Sequence, residues 1–283
     1  MRKWSVLVTA VVAASVLVAC GSSSKSSSGS TTTAAGTASC GFKPVTPDTL
    51  TVITSLPGPG FWEGSDTDPT KLRSGYEWDL GHLIQQKCGL SKFAVRNVGF
   101  DAIVAGTVKD YDVALSQVSI TPERQKVVKF SEPYFQSNQG VLVNKGTKVA
   151  TLADAKKIQW GVQTSTTAVD LLKRIKPDKE ARSFAQLADA YTALEAKQVD
   201  AILIDTAINL GEAARSSGKF EVVSQFDQPG GPDQYGALFP KDSVNVAAVN
   251  SVLTGLKSSG ELAGLAKKDL TGDPGTIPVI AVP

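Results

Sequence analysis

Arg124 stands shortly after Ser116, Gln117, Ser119 and Thr121 in the stretch DVALSQVSITPERQKVVKFSEPY, which runs from Asp112 to Tyr134. A guanidinium is a planar donor that can clamp a carboxylate through two parallel bonds. Hydroxyls, and backbone carbonyls freed where a strand ends, can accept from an ammonium. A carboxylate and an ammonium held side by side are the recognition problem posed by a free amino acid. By spacing alone, the same arginine could instead pair with Glu123 or Glu132 on the surface.

Other residues bear on that choice. Asp205 stands at the carboxyl end of an apolar run, Val199 to Ile204, and just before a helical stretch from Thr206 to Ser216. An aspartate there can cap the helix, face a ligand, or do both. Gln163-Thr164-Ser165-Thr166-Thr167 leads into a helix through Ile175, and a helix start suits an anion. That stretch lacks the glycines and the Lys-Ser/Thr ending of a phosphate-binding P-loop. Phe61 and Trp62 sit on a loop broken by Pro57, Gly58, Pro59 and Gly60, and Phe100 opens a short helix. These rings belong either to a ligand or to the core. With a single histidine, His82, which the spacing places on a surface helix, and three cysteines, the chain has little material for a zinc site or a histidine triad. Glu63, Asp66 and Asp68 lack the spacing of a calcium loop. No metal or cofactor is expected.

The elements that must position these groups begin after an export segment. Met1-Arg2-Lys3 is basic, Trp4 to Val18 is apolar, and Leu17-Val18-Ala19-Cys20 closes the run. This resembles a bacterial lipoprotein signal peptide over residues 1–19, with Cys20 as the lipidated (palmitate-bearing) residue. An ordinary signal peptide with an incidental Cys20 is the alternative. The run is too short for a spanning helix. Residues 20–44 carry the lipid and a Ser/Gly/Thr-rich tether, which cannot bury a core. Cys40 and Cys88 then remain in an exported domain, which suggests a disulfide; two free thiols are the alternative.

The chain of 283 residues is 42% hydrophobic and 20% charged, enough for a buried core. Removing residues 1–19 takes away Arg2 and Lys3, so 29 basic residues become 27 against 27 acidic ones. A neutral chain without a basic face argues against nucleic acid. β-branched and apolar runs predict strands at 49–54, 92–98, 112–115, 139–144, 158–162, 181–184, 199–204, 220–224 and 235–239. Helical spacing predicts helices after Gly75, at 100–106, before Ile175, at 186–197, at 206–216, and twice between Val246 and Leu270. The alternation predicts an α/β fold with parallel neighbours and ligand residues at strand exits. Two such units imply two lobes, 45–140 plus 236–270 and 141–235. The chain is expected to cross between them twice, near 140–145 and 235–241, as a hinge. The tail, 271–283, is expected to be loosely held.

Gly75-Tyr76-Glu77-Trp78-Asp79, Phe100-Asp101 through Gly106, Asp112 through Arg124 and Phe130-Ser131-Glu132-Pro133-Tyr134 stand in this order. Gly161-Val162-Gln163 with Thr166-Thr167, and Val199-Asp200-Ala201 with Asp205, follow them. With these segments, from Thr49 to Leu270, the chain resembles the polar amino acid solute-binding proteins of bacterial ABC importers (extracellular solute-binding proteins, family 3), in lipoprotein form. The resemblance implies a two-lobed periplasmic-binding-protein-like fold, type II, with two hinge crossovers. It implies a monomer that closes on a free amino acid at the outer face of the membrane and hands it to an ABC permease.

Carried over residue by residue, Arg124 matches the holder of the ligand's α-carboxylate, and Asp205 matches the partner of its α-ammonium. Ser119 matches the hydroxyl at that end, and Gln117 matches a position that offers its backbone carbonyl, with Ser116 beside it. Thr166 and Thr167 match the helix start on the second lobe, after Gln163. Phe100 matches a ring over the ligand side chain, with Phe61 or Trp62 opposite. Ser165, Thr167 and Gln117 replace residues that are often glycine, and Ser55 replaces an acid that reads a ligand's distal group in some relatives. That last exchange disfavours lysine or arginine and favours a polar neutral or acidic ligand. Two rival readings are a dehydratase on the same fold, of cyclohexadienyl or arogenate type, and a ligand sensor for a membrane partner. The dehydratase would need a general acid in the cleft, where Asp205 is the only acid placed. The binding-protein reading involves no catalysis.

Overall fold

In a computed structural model, which describes residues 40–282, the first strand, β1 (Thr49–Thr54), is buried at every position. A strand of Thr, Val, Ile and Leu that is covered on both faces belongs inside an α/β sheet. It is followed by α1 (Tyr76–Lys87), β2 (Lys92–Asn97), α2 (Phe100–Val104), β3 (Val113–Ala114), α3 (Pro122–Gln125) and β4 (Lys129–Ser137). The second run is β5 (Gln139–Asn144), α4 (Leu152–Lys157), β6 (Trp160–Gln163), α5 (Thr167–Ile175), β7 (Arg182–Phe184), α6 (Leu187–Glu195), β8 (Ala201–Asp205), α7 (Thr206–Arg215) and β9 (Phe220–Asp227). Then come β10 (Asp233–Phe239), α8 (Val246–Ser258), α9 (Glu261–Asp269) and β11 (Val279–Ala281).

Two sheets result. One has the order β2-β1-β3-β10-β4, the other β11-β9-β5-β8-β6-β7. β1 runs parallel to β2 and β3, and β6 runs parallel to β7 and β8, as the alternation predicts. β10 is antiparallel to β3 and β4, and β5 is antiparallel to β8 and β9. Both sheets are therefore mixed. The reason is local: β4 passes into β5 with only Asn138 between them, and β9 returns into β10 across residues 228–232. The strands that change lobes cannot join through a helical crossover, so they enter each sheet antiparallel.

The crossings thus lie at Ser137–Gln139 and 228–232, a few residues before the positions expected from sequence. β4 was not foreseen, because its Lys, Glu, Pro and Ser residues hide the strand alternation. The larger correction concerns the tail. β11 pairs in parallel with β9, and Ile280 and Val282 are buried in the second lobe's core. Gln225 donates from Nε2 to the carbonyls of Pro274 (2.7 Å) and Ile277 (3.1 Å), and its backbone N–H donates to Pro278 O (2.8 Å). The chain therefore crosses between lobes a third time, after α9, and the tail is a strand of the second sheet. Two apolar side chains in a Gly/Pro-rich segment are too few for periodicity to reveal.

The amino-terminal end is fastened as well. Cys40 and Cys88 form a disulfide, with Cα atoms 4.7 Å apart and a sequence separation of 48. Cys88 is the C-cap of α1. Closing a loop of that length stabilises by about 4 kcal/mol on chain-entropy grounds. The Asp112 carboxylate accepts from the N–H groups of Val45 (2.7 Å) and Thr51 (2.8 Å), which ties the same end to β1. The signal segment and Cys20 lie outside the described residues. Deleting residues 271–283 should remove β11 and the burial of Ile280 and Val282. A loss of about 3 kcal/mol in urea unfolding is expected; an unchanged midpoint would mean that the strand contributes nothing to stability.

Candidate functional site

The carboxyl ends of β1, β3, β6 and β8 converge on one cavity, where strand exits of α/β sheets gather their ligands. Ser116, Gln117, Ser119, Arg124 and Phe100 line it from the first lobe. Gln163, Thr166, Thr167 and Asp205 line it from the second. Nine residues read from the sequence thus meet at one place. Ser55, Pro57, Leu187, Ile204 and Ile208 complete the wall.

Arg124 is buried and spans the lobes. Its Nη1 donates to Ser119 O (2.7 Å) and its Nη2 donates to Ser165 O (2.8 Å). Its guanidinium carbon lies 5.5 Å from the centre of the Phe100 ring. Burial lowers its pKa, against the nearby charges of Asp233, Asp205 and Asp170. None of the salt bridges among the described residues involves Arg124, so the surface pairing with Glu123 or Glu132 is not made.

Asp205 is the N-cap of α7, yet its side chain makes no capping bond. It faces the cavity instead, 6% exposed, with Oδ1 buried and unpartnered. Burial, then the charge of Asp233, raises its pKa to about 8. The Tyr235 hydroxyl is close enough to moderate that shift, but it too is buried outside hydrogen-bond geometry. On the same lobe Thr166 is the N-cap of α5; its Oγ1 donates to Gln163 O (2.7 Å) and leaves the first helical N–H groups uncapped by a side chain. Thr167 Oγ1 donates to Asp233 (2.8 Å), whose carboxylate also accepts from Gln139 (2.6 Å).

Two residues beside the cavity adopt left-handed backbone: Gln117 at φ +49° and Ser165 at φ +60°. Side chains there cost on the order of 1–3 kcal/mol each. The Ser165 turn aims its carbonyl at Arg124. Thr167 needs no such freedom, because it is the first residue of α5.

Phe61 and Trp62 do not reach the cavity. Phe61 packs edge-on against Tyr76, Phe135 and Tyr235, and Trp62 lies edge-on to Trp78; both are core. Pro57 takes the place on the wall expected of a ring. The anchor that turns Trp62 inward is Glu77, fully buried, which accepts from Trp62 Nε1 (2.7 Å), Gln117 N (2.8 Å), Gln117 Nε2 and the Tyr134 hydroxyl. Burial raises its pKa to about 7, and those four donors hold it down from a higher value. Sequence reading saw Glu77 only as part of a motif. Glu77 and Asp79 both stand in the first turn of α1, and nothing in their spacing marks Glu77 as the buried one.

Further contacts hold the lobes together at the rim. Thr164 Oγ1 donates to the Asp101 carboxylate (2.9 and 3.1 Å), and Arg215 of α7 pairs with Asp66 of the first lobe at 2.5 Å. Gly211 lets the Pro59 backbone approach α7; a Cβ there would lie 2.7 Å from it.

The raised pKa of Asp205 has a stability consequence. Its proton is held more tightly folded than unfolded, so its contribution is full below about pH 3.8 and is lost as pH rises through about 8. Asp205→Asn should therefore match the parent near pH 4 and exceed it at pH 8 by on the order of 2 kcal/mol or more in urea unfolding. Equal stability at pH 8 would rule out this burial cost.

Residues 62–271 match the family of bacterial extracellular solute-binding proteins, family 3. The ABC transporter glutamine-binding protein GlnH of Bacillus subtilis is 31% identical over 58% of this chain, and the match spans 60% of that relative's length. The arginine-binding periplasmic protein of Mannheimia haemolytica is 28% identical over 70% of this chain and 82% of its own. Among solved structures, an ancestral arginine-binding protein bound to glutamine superposes with a TM-score of 0.69 at 27% identity, over 79% of this chain and 98% of that one. The chain belongs to the bacterial extracellular solute-binding proteins, family 3.

Proposed function

We propose that this protein binds a free amino acid between its lobes, outside the cytoplasm, and delivers it to an ABC permease while anchored through a lipid on Cys20. One observation carries the reading: a buried guanidinium and a buried carboxylate border one small cavity without forming an ion pair. Burying a guanidinium and a carboxyl group without a charged partner is costly, and a zwitterion that satisfies both recovers that cost. The α-carboxylate goes to Arg124 and the α5 start at Thr166 and Thr167. The α-ammonium goes to Asp205, with Ser119 and the Gln117 carbonyl beside it. Phe100 covers the side chain, and Ser116 and Gln163 contribute polar wall. Relatives named for glutamine and arginine binding support the ligand class. Closure is an equilibrium that the ligand shifts through the contacts it makes with both lobes.

Among the described residues no helix is long and apolar enough to cross a membrane. The leader and Cys20 motif are the support for anchoring, and labelling with a radioactive fatty acid, with Cys20→Ala as control, tests it.

Binding by Asp205 requires its ionised form, so a zwitterion must displace a proton wherever the pH is below about 8. Affinity should rise as pH approaches 8 from below, by up to about tenfold per unit, with protons released on binding. Titration calorimetry of the full-length protein against the standard amino acids, in two buffers of different ionisation enthalpy, measures both effects. Arg124→Ala should weaken the best ligand about a hundredfold, since a bond to a charged group contributes up to about 3 kcal/mol. Folded protein that is silent across the panel would refute the reading. A sustained heat rate in place of saturating heats would instead favour the dehydratase, for which a protonated Asp205 would be the general acid.

A further inference from the structure

Arg124 and Asp205 address groups that every amino acid carries, so they cannot choose between side chains. Gln117 is the wall residue whose polar end is set by neither of them. It is set by Glu77, which takes the Gln117 backbone N–H on one oxygen and the side-chain Nε2 on the other. A carboxylate only accepts, so the Gln117 amide must turn its NH₂ toward Glu77. Its carbonyl oxygen then points the other way. That oxygen has no hydrogen-bond partner among the described residues, and it is not among the buried atoms left without one. It is therefore not sealed off, and Gln117 is one of the residues that border the cavity.

Glu77 itself is not available to a ligand. It is fully buried, and its two oxygens already receive four donors, which is about the lone-pair capacity of a carboxylate. A cationic side chain entering the pocket would find an acceptor but no free countercharge, and an anionic one would meet the amide oxygen. Ser55, Pro57, Leu187 and Ile208, which also line the cavity, are hydroxyl or apolar.

Building on the amino-acid reading, we infer that Glu77 acts as a positioning residue that fixes Gln117 as an acceptor in the side-chain pocket. The preferred ligand is therefore a neutral amino acid with a side-chain donor, a carboxamide being the best match. A carboxamide and a carboxylate have nearly the same shape. Discrimination between them comes from polarity, and a site built around a hydrogen bond rejects an analogue that cannot make it.

The test is calorimetry of the full-length protein with glutamine, asparagine, glutamate, arginine and methionine, on wild type, Glu77→Gln and Gln117→Met. Wild type should bind glutamine or asparagine most tightly, and glutamine at least about tenfold above glutamate. In Glu77→Gln an NH₂ group faces Gln117 or its backbone N–H, which drives its amide to turn over; the glutamine-to-glutamate ratio should fall about tenfold or invert. Gln117→Met should bring the ratio close to one. Uniform weakening of all ligands with the ratio kept, in folded variants, would mean that Glu77 and Gln117 serve only structure and would overturn the inference. So would arginine or glutamate as the tightest ligand. If Glu77→Gln does not fold, Gln117→Met decides alone. Wild type that binds nothing in the panel would instead refute the amino-acid reading, and the inference with it.

Discussion

The guanidinium of Arg124 is a buried charge held by two backbone carbonyls, one from each lobe. Each bond compensates only part of the cost of removing a cation from water. The remaining charge faces the cavity, where Asp205 stands buried with an oxygen that no protein group satisfies. Much of the surrounding architecture follows from keeping these two groups dry, close and unpaired. The strand exits bring them to one level, and the rim contacts of Asp101 with Thr164 and Asp66 with Arg215 keep the lobes shut over them.

Backbone strain is spent at the same place. Gln117 and Ser165 hold left-handed conformations that a glycine would adopt freely, and each orients a group at the cavity. Glu77 offsets the strain at Gln117 by accepting both of its donors, while a reciprocal bond from Arg124 to the Ser165 carbonyl supports the second turn. Local unfavourable geometry is thus maintained by long-range polar contacts, which is why neighbouring sequence alone does not announce it.

Three segments now join the lobes, and they are linked to one another. Gln225 on β9 accepts at Oε1 from Asn138, the single residue between β4 and β5, and from Thr206 at the start of α7, both at 3.3 Å. Its Nε2 reaches the tail segment that leads to β11. One buried amide thereby connects the first crossing, the tail and the helix that begins beside Asp205.

The α/β alternation and the two units were legible in the chain itself, and Arg124 and Asp205 stood out there as candidates with alternatives still open. β-branched runs such as TLTVIT and apolar stripes report burial directly. The resemblance of ordered motifs added the identity of the cleft residues and the family. What only the tertiary structure decided were matters of direction and partnership. Phe61 and Trp62 have the composition of ligand-facing rings, but Glu77 and the aromatic cluster turn them into the core. Asp205 sits where a helix cap belongs, yet it points into the cavity. The tail has the composition of a loose end, but β9 offers an unpaired edge that two apolar side chains can cover. Side-chain type sets which interactions are possible; which one forms depends on the groups that distant segments bring within reach, and those distances are not written along the chain.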